Sequence, residues 1–294
     1  MPTGSLLVTG ATGFIGRRLM ARLAAQGVQV LGWSRALGDL RDAAAVVRVV
    51  DAHQVSTVIH LAALPANLTE ADWSVVAGEV AMVQNLAAAL PAGGRLVHAG
   101  SMSEHGYGGV LDEADPIRPR SIYGAAKAAA TDRAVALAAT GACDVRVARL
   151  FGVYGPGEGP QRLFPSLVSQ LVRGEVARLG EPDRVRDFIH VDDVCDLLLA
   201  LADVADAPHP VLNFGTGTGV RIGDVCRKVA GWLGKSEADL AFGQFPVRAI
   251  DEAVQVAKVE RLADLAPVPT QHWLSDHGPA KDYILSLAAE NGVS

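Results

Sequence analysis

Leu6-Leu7-Val8-Thr9-Gly10-Ala11-Thr12-Gly13-Phe14-Ile15-Gly16 opens on a short apolar run and then sets three glycines at intervals of three. The run has the pattern of a buried strand. A helical pattern begins at the glycines, with Ile15, Leu19 and Leu23 on one face, and Gly27 stands where a C-terminal cap belongs. Strand, glycine turn and helix together form a phosphate cradle. Gly10 permits the tight turn, Gly13 lets a dinucleotide pyrophosphate approach the backbone, and Gly16 lets the helix pack close to the strand, with the helix N-terminus facing the phosphates. A second strand at 29–33 follows at the distance of a βαβ unit.

Outward from this unit, short apolar strands at 57–60, 95–99 and 145–150 alternate with helical lengths. That alternation predicts an α/β fold with a doubly wound parallel sheet. The sharpest break in composition is Gly155-Pro156-Gly157-Glu158-Gly159-Pro160, read as the exit into a smaller lobe. The chain is expected to return to the sheet at 188–190 and 211–214, and the last quarter reads as small helices and loops. The division expected is a nucleotide-binding domain over 1–155 plus about 187–218. A substrate lobe would then comprise about 156–186 and 219–294.

Composition narrows the function classes. The 294 residues are enough for such a domain and a lobe. A net charge of −6 gives no basic field for nucleic acid or an anionic membrane. No run of about 18 uncharged apolar residues exists to span a membrane. The start shows no basic-then-apolar leader, so no signal peptide is expected. Three widely separated cysteines, Cys143, Cys195 and Cys226, fit buried thiols in a reducing compartment better than a disulfide frame or a metal site. A cytoplasmic protein without a metal is expected.

The end of the second strand decides which dinucleotide fits. An NAD site places a carboxylate there for the ribose 2′-hydroxyl. Here the place is held by Ser34 followed by Arg35, and an arginine can pair with a 2′-phosphate. NADP is therefore favoured, with NAD as the alternative. Asp39 and Leu40 form an acid-plus-apolar pair, and Asp39 could equally cap a helix. The strand Val58-Ile59-His60 ends in Leu61-Ala62-Ala63, small enough to let the backbone lie beside a cofactor.

Tyr123-Gly124-Ala125-Ala126-Lys127 is the sharpest chemical signal. On a helix, Tyr123 and Lys127 project from one face. A neighbouring ammonium favours a phenolate and makes a tyrosine a usable acid or base. Ser101, just past the fourth strand in Ala99-Gly100-Ser101-Met102-Ser103, can supply the hydroxyl that polarises a carbonyl.

Together these motifs resemble the extended branch of the short-chain dehydrogenase/reductases, and in particular its NAD(P)-dependent nucleotide-sugar epimerase/dehydratase family. Further stretches carry the resemblance over nearly the whole chain: Arg149-Leu150-Phe151-Gly152-Val153-Tyr154-Gly155-Pro156, Arg186-Asp187-Phe188-Ile189-His190-Val191-Asp192-Asp193 and Asn213-Phe214-Gly215-Thr216-Gly217. The resemblance implies a Rossmann-type domain holding the cofactor through Gly10, Thr12, Gly13, Phe14, Ile15, Gly16, Ser34, Arg35, Asp39, Leu40, Leu61, Ala62, Ala63, Tyr123 and Lys127. It implies a Ser101–Tyr123–Lys127 triad, and a nucleotide-diphosphate sugar bound by Ser103, Arg186 and Arg248. It also implies a homodimer built partly on the Tyr123 helix.

The departures prune reactions. A 4,6-dehydratase of this family carries Asp-Glu directly after its catalytic hydroxyl, where this chain has Met102-Ser103, and neither side chain can do acid–base work. A helix asparagine of the family is Glu79 here, and Gly100 replaces a serine. What remains is NADPH-dependent reduction of a keto group, at C4, on a nucleotide-diphospho-keto-deoxy sugar. An NAD-dependent nucleotide-sugar 4-epimerase is the alternative, and a non-catalytic NADP-sensing protein a distant one.

Overall fold

The computed structural model describes residues 5–64, 72–207, 209–246 and 252–292. Arg248, expected to bind substrate phosphate, lies outside them. The strands are β1 (Ser5–Thr9), β2 (Val30–Gly32), β3 (Val55–His60), β4 (Arg95–Ser101), β5 (Gly109–Leu111), β6 (Asp144–Leu150), β7 (Gly152–Tyr154), β8 (Ala177–Arg178), β9 (Val185–Arg186), β10 (Phe188–His190), β11 (Val211–Phe214), β12 (Val220–Arg221), β13 (Leu240–Ala241) and β14 (Val254–Ala257). The helices are α1 (Phe14–Ala25), α2 (Ala43–Ala52), α3 (Ser74–Ala89), α4 (Ile122–Ala139), α5 (Leu163–Val172), α6 (Val191–Asp203), α7 (Ile222–Trp232), α8 (Glu260–Leu265) and α9 (Pro279–Glu290).

Six strands form the central sheet in the order β11-β6-β4-β3-β1-β2, all parallel. The side-chain alternation of each strand fills a different layer on each face. Leu7, Val58 and Leu96 pack with Val46 and Val50 of α2, Met82, Val83 and Leu86 of α3, and Ala130 and Ala134 of α4. Leu6, Val8, Ile59 and Val97 pack on the other face with Leu19 and Leu23 of α1 and Val194, Leu198 and Leu201 of α6. The doubly wound parallel sheet read from the sequence is therefore present.

Several boundaries differ from the sequence reading. Strand β2 is shorter than 29–33, and Trp33 is turned to donate from Nε1 to the Gly38 carbonyl (3.0 Å). Ser101 is the last residue of β4, where it pairs with Leu150 of β6, and does not lie past the strand. Asp42, not Asp39, caps α2, accepting from the Ala44 amide (2.9 Å). Strand β11 does return to the central sheet, whereas β10 pairs with β7 in a separate parallel pair.

The last quarter is more regular than expected. Strand β14 pairs with β5 and β9, in a four-stranded sheet ordered β12-β9-β14-β5. A third apolar core, with Tyr154, Phe164, Phe188, Trp273 and Tyr283, joins α5, α7 and α9. Phe164 and Trp273 are stacked with ring centroids 4.5 Å apart. Asp187 explains why two distant motifs belong together. Its buried carboxylate accepts from the amides of Thr216, Gly217 and Ala257 and from the Thr216 hydroxyl (2.6 Å).

Candidate active site

The glycine turn is as tight as its sequence demands. Gly10 has φ +65°, and a Cβ there would lie 2.6 Å from the Ala62 amide nitrogen. A Cβ on Gly16 would lie 2.1 Å from the Gly10 carbonyl oxygen. Thr9 fastens the neighbouring strand end, since its Oγ1 contacts His60 Nδ1 (2.6 Å) and accepts from the Ala62 amide (3.2 Å). Gly13 begins α1 without any side-chain cap, so the first-turn amides remain for an anionic group. Thr12 and Gly13 are exposed at this turn. These features fit a dinucleotide pyrophosphate.

At the end of β2, Ser34 and Arg35 are both exposed, and Arg35 opens a short 3-10 turn. The Asp39 carboxylate is engaged by the Arg41 guanidinium (2.6 Å), which holds its pKa down at about 2. Leu40 is buried, and its carbonyl accepts from Asn85 (3.0 Å). The Asp39 carboxylate is thus already paired within its own loop.

Tyr123 and Lys127 stand on α4, which Ser121 caps by accepting from the Gly124 amide (3.0 Å). Gly124 brings this helix start against the segment after β4, because a Cβ there would lie 2.4 Å from the Ser103 carbonyl oxygen. Ser101 is 7% exposed. Its Oγ accepts from the Ser103 amide (3.2 Å), which leaves its own O–H to donate elsewhere. Ser101 and Tyr123 line one cleft of about 1240 Å³ with Phe14 and Ile15 from the glycine turn, Ser103, and Arg186 of β9. Lys127 is 5% exposed and lies behind them, its Nζ bonded to Glu79 Oε2 (3.1 Å) and to the Ala99 carbonyl (3.4 Å).

Arg186 donates to the backbone carbonyls of Val185 (2.8 Å) and Glu252 (2.9 Å). Arg184 reaches the same Glu252 carbonyl (3.4 Å), and Arg120 pairs with the Glu252 carboxylate (2.7 Å). All three arginines line the cleft, together with Glu181 and Glu252. Glu158 lines it too, bonded to the Tyr283 hydroxyl (3.1 Å). Burial pushes its carboxyl up to about 7, against the opposing pull of Arg162 and Tyr283.

Supports beneath Ser101 were not read from the sequence. Glu104 is fully buried and accepts from the Ser101 amide (2.7 Å), the Thr131 hydroxyl (3.0 Å) and Arg149 Nε (2.9 Å). Ser101-x-x-Glu104 is a capping-box signature and was readable as one. Its carboxylate also explains Gly100, where a Cβ would lie 2.5 Å from Glu104 Oε1. The His60 and His98 rings lie 5.3 Å apart across β3 and β4, tilted by 31°, and are held neutral by burial, His60 pushed down to about 3. The three cysteines are buried, with thiols pushed up to about 11 or 12 by burial. Among the described residues no helix is long and apolar enough to cross a membrane, and no group of three His, Cys, Asp or Glu could hold a metal ion.

Comparison with known proteins agrees with this geometry. The model of the NAD dependent epimerase/dehydratase family matches residues 6–215. A dTDP-6-deoxy-L-talose 4-dehydrogenase (NAD(P)(+)) of Kitasatospora kifunensis is 35% identical over 72% of this chain and 73% of its own. A dTDP-glucose 4,6-dehydratase of Streptomyces antibioticus is 32% identical over 73% of this chain and 72% of its own. The structure of MoeE5 in complex with UDP-glucuronic acid and NAD superposes with a TM-score of 0.83 at 30% identity, covering 98% of this chain and 99% of that one.

Proposed function

We propose that this chain, which belongs to the NAD dependent epimerase/dehydratase family, reduces a C4 keto group on a nucleotide-diphospho-keto-deoxy sugar with NADPH. The observation that carries the proposal is the shared cleft. It sets the Ser101 and Tyr123 side chains between the glycine turn and the arginine-lined wall of the second lobe. A nicotinamide cofactor supplies the hydride, and residues 1–155 with about 187–218 hold it. Residues about 156–186 and 219–294 hold the nucleotide sugar.

Tyr123 gives its phenolic proton to the carbonyl oxygen as that oxygen gains charge, and takes it back in the reverse direction. Ser101 donates its O–H to the same oxygen, the Ser103 amide having fixed which way the hydroxyl points. Lys127 holds the ribose from behind Tyr123. Arg186, with Arg248, binds the substrate diphosphate, where an arginine fork suits phosphate oxygens. Met102 and Ser103 stand in the cleft directly after Ser101, and neither supplies the acid and base that a dehydration needs.

NADP is preferred because Arg35 presents an exposed guanidinium at the end of β2 while Asp39 is occupied by Arg41. The 4-dehydrogenase relative, whose name carries NAD(P)(+), supports hydride transfer at C4 with either dinucleotide. A second reading is a nucleotide-sugar 4-epimerase with retained NAD, and the NAD and nucleotide sugar held together by MoeE5 are compatible with it. We read the chain as a homodimer, with α4 in the interface. Cofactor analysis of the purified protein separates the two reactions. The reductase should exchange NADP(H) freely and bind it about tenfold more tightly than NAD(H). Tightly retained NAD that is not consumed during turnover would favour the epimerase.

A further inference from the structure

The catalytic reading leaves one buried acid without a role. Glu79 is 2% exposed on α3, and its carboxylate makes two contacts among the described residues. One oxygen bonds the Lys127 ammonium at 3.1 Å, and the other accepts from the Leu64 amide at 2.6 Å. Leu64 follows the Leu61-Ala62-Ala63 end of β3 and lines the cleft. Its side chain is seated against Gly78, where a Cβ would lie 2.3 Å from Leu64 Cδ1. Glu79 therefore ties the strand end beside the glycine turn to the lysine of α4.

The surroundings make this contact matter. Lys127 is nine-tenths buried, and its other bond is to the Ala99 carbonyl (3.4 Å). Its imidazole neighbours, His60 and His98, are held neutral by burial and by the ammonium itself. Glu79 is the carboxylate that balances the ammonium among the described residues. A buried ammonium with no counter-charge would be strongly disfavoured. An uncharged asparagine at this position, as the family pattern has it, would supply hydrogen bonds without a counter-charge.

We propose that Glu79 is a positioning residue for cofactor binding, one that fixes the Lys127 ammonium and the Leu64 strand end as a single rigid unit. The proposal rests on Lys127 being the ribose-binding lysine. Its consequence is specific. Glu79 is buried and does not line the cleft, so the effect of removing it should reach cofactor affinity through Lys127 and vanish when Lys127 is absent.

A double-mutant cycle on NADP(H) affinity tests this. Glu79→Gln keeps an acceptor for the Leu64 amide and removes the charge. It should weaken NADP(H) binding about tenfold in the parent chain and have no effect in a Lys127→Met background. In steady-state kinetics the KM for NADPH should rise while the KM for the sugar stays put, which a general loosening of the fold would not produce. Thermal unfolding gives a second readout even where Glu79→Gln is poorly folded. Adding Lys127→Met to it should raise Tm, because the uncompensated buried ammonium is removed. Undiminished affinity in Glu79→Gln, beside weakened binding in Lys127→Met, would overturn the positioning role alone. Undiminished affinity in Lys127→Met would instead remove the reading on which it rests.

Discussion

At the scale of single residues, the proposed chemistry turns on Tyr123 and the groups that hold its neighbours. Under the proposed mechanism, Tyr123→Phe removes one proton path and leaves the cleft walls in place. Turnover should fall by ~100-fold or more, with NADP(H) affinity nearly unchanged, in parallel kinetic and binding titrations. A loss of affinity equal to the loss of turnover would count against the proton-transfer role. Ser101, Tyr123 and Lys127 were legible because each belongs to a short local pattern: a strand end, and an i,i+4 pair on one helix. Their supports were less so. Glu79 meets Lys127 and Glu104 meets Arg149 across long separations in sequence, which no local spacing encodes. The carboxylate of Asp39 was read toward a cofactor, and only the structure shows Arg41 folded back onto it.

At the scale of elements, the strands that carry the cofactor turn were readable from apolar runs, and those of the second lobe were not. Strands β8, β9, β12 and β13 are two residues each, too short to show an alternation. Strand β14 spans Val254–Ala257 and is set by its pairing with β5, far away in sequence. The junction between the break at 155–160 and the last helix carries its own prediction. Glu158 accepts from Tyr283 of α9 and pairs with Arg162 at the start of α5, so one carboxyl joins three segments. Its pKa is raised to about 7, so the folded chain holds this proton more tightly than the unfolded chain does. The stability so gained is full below the ordinary glutamate range and is lost as pH rises through about 7. The Tm difference between the parent chain and Glu158→Gln should therefore move against the parent from pH ~5 to pH ~8, by an amount corresponding to about 3 kcal/mol at most. A pH-independent difference would show that Glu158 is already ionised throughout.

At the scale of the whole molecule, the proposed function draws on residues far apart in the chain, since one cleft takes Ser101 and Tyr123 from the first half and Arg186 from the second. Any ligand of the folded state raises Tm. A nucleoside diphosphate should protect the protein against thermal unfolding, and Arg186→Ala should reduce that protection while leaving protection by NADP intact. Equal loss of both would place Arg186 in the structural frame alone. The central claim, that hydride passes between nicotinamide and the sugar carbonyl in this cleft, has a direct test. The protein is incubated with NADPH deuterated at the transferring position and a nucleotide-diphospho-4-keto-6-deoxy sugar, and the product is read by mass spectrometry. The account predicts one deuterium in the sugar for each NADPH oxidised. A sugar product without deuterium, formed while NADPH is untouched, would contradict it.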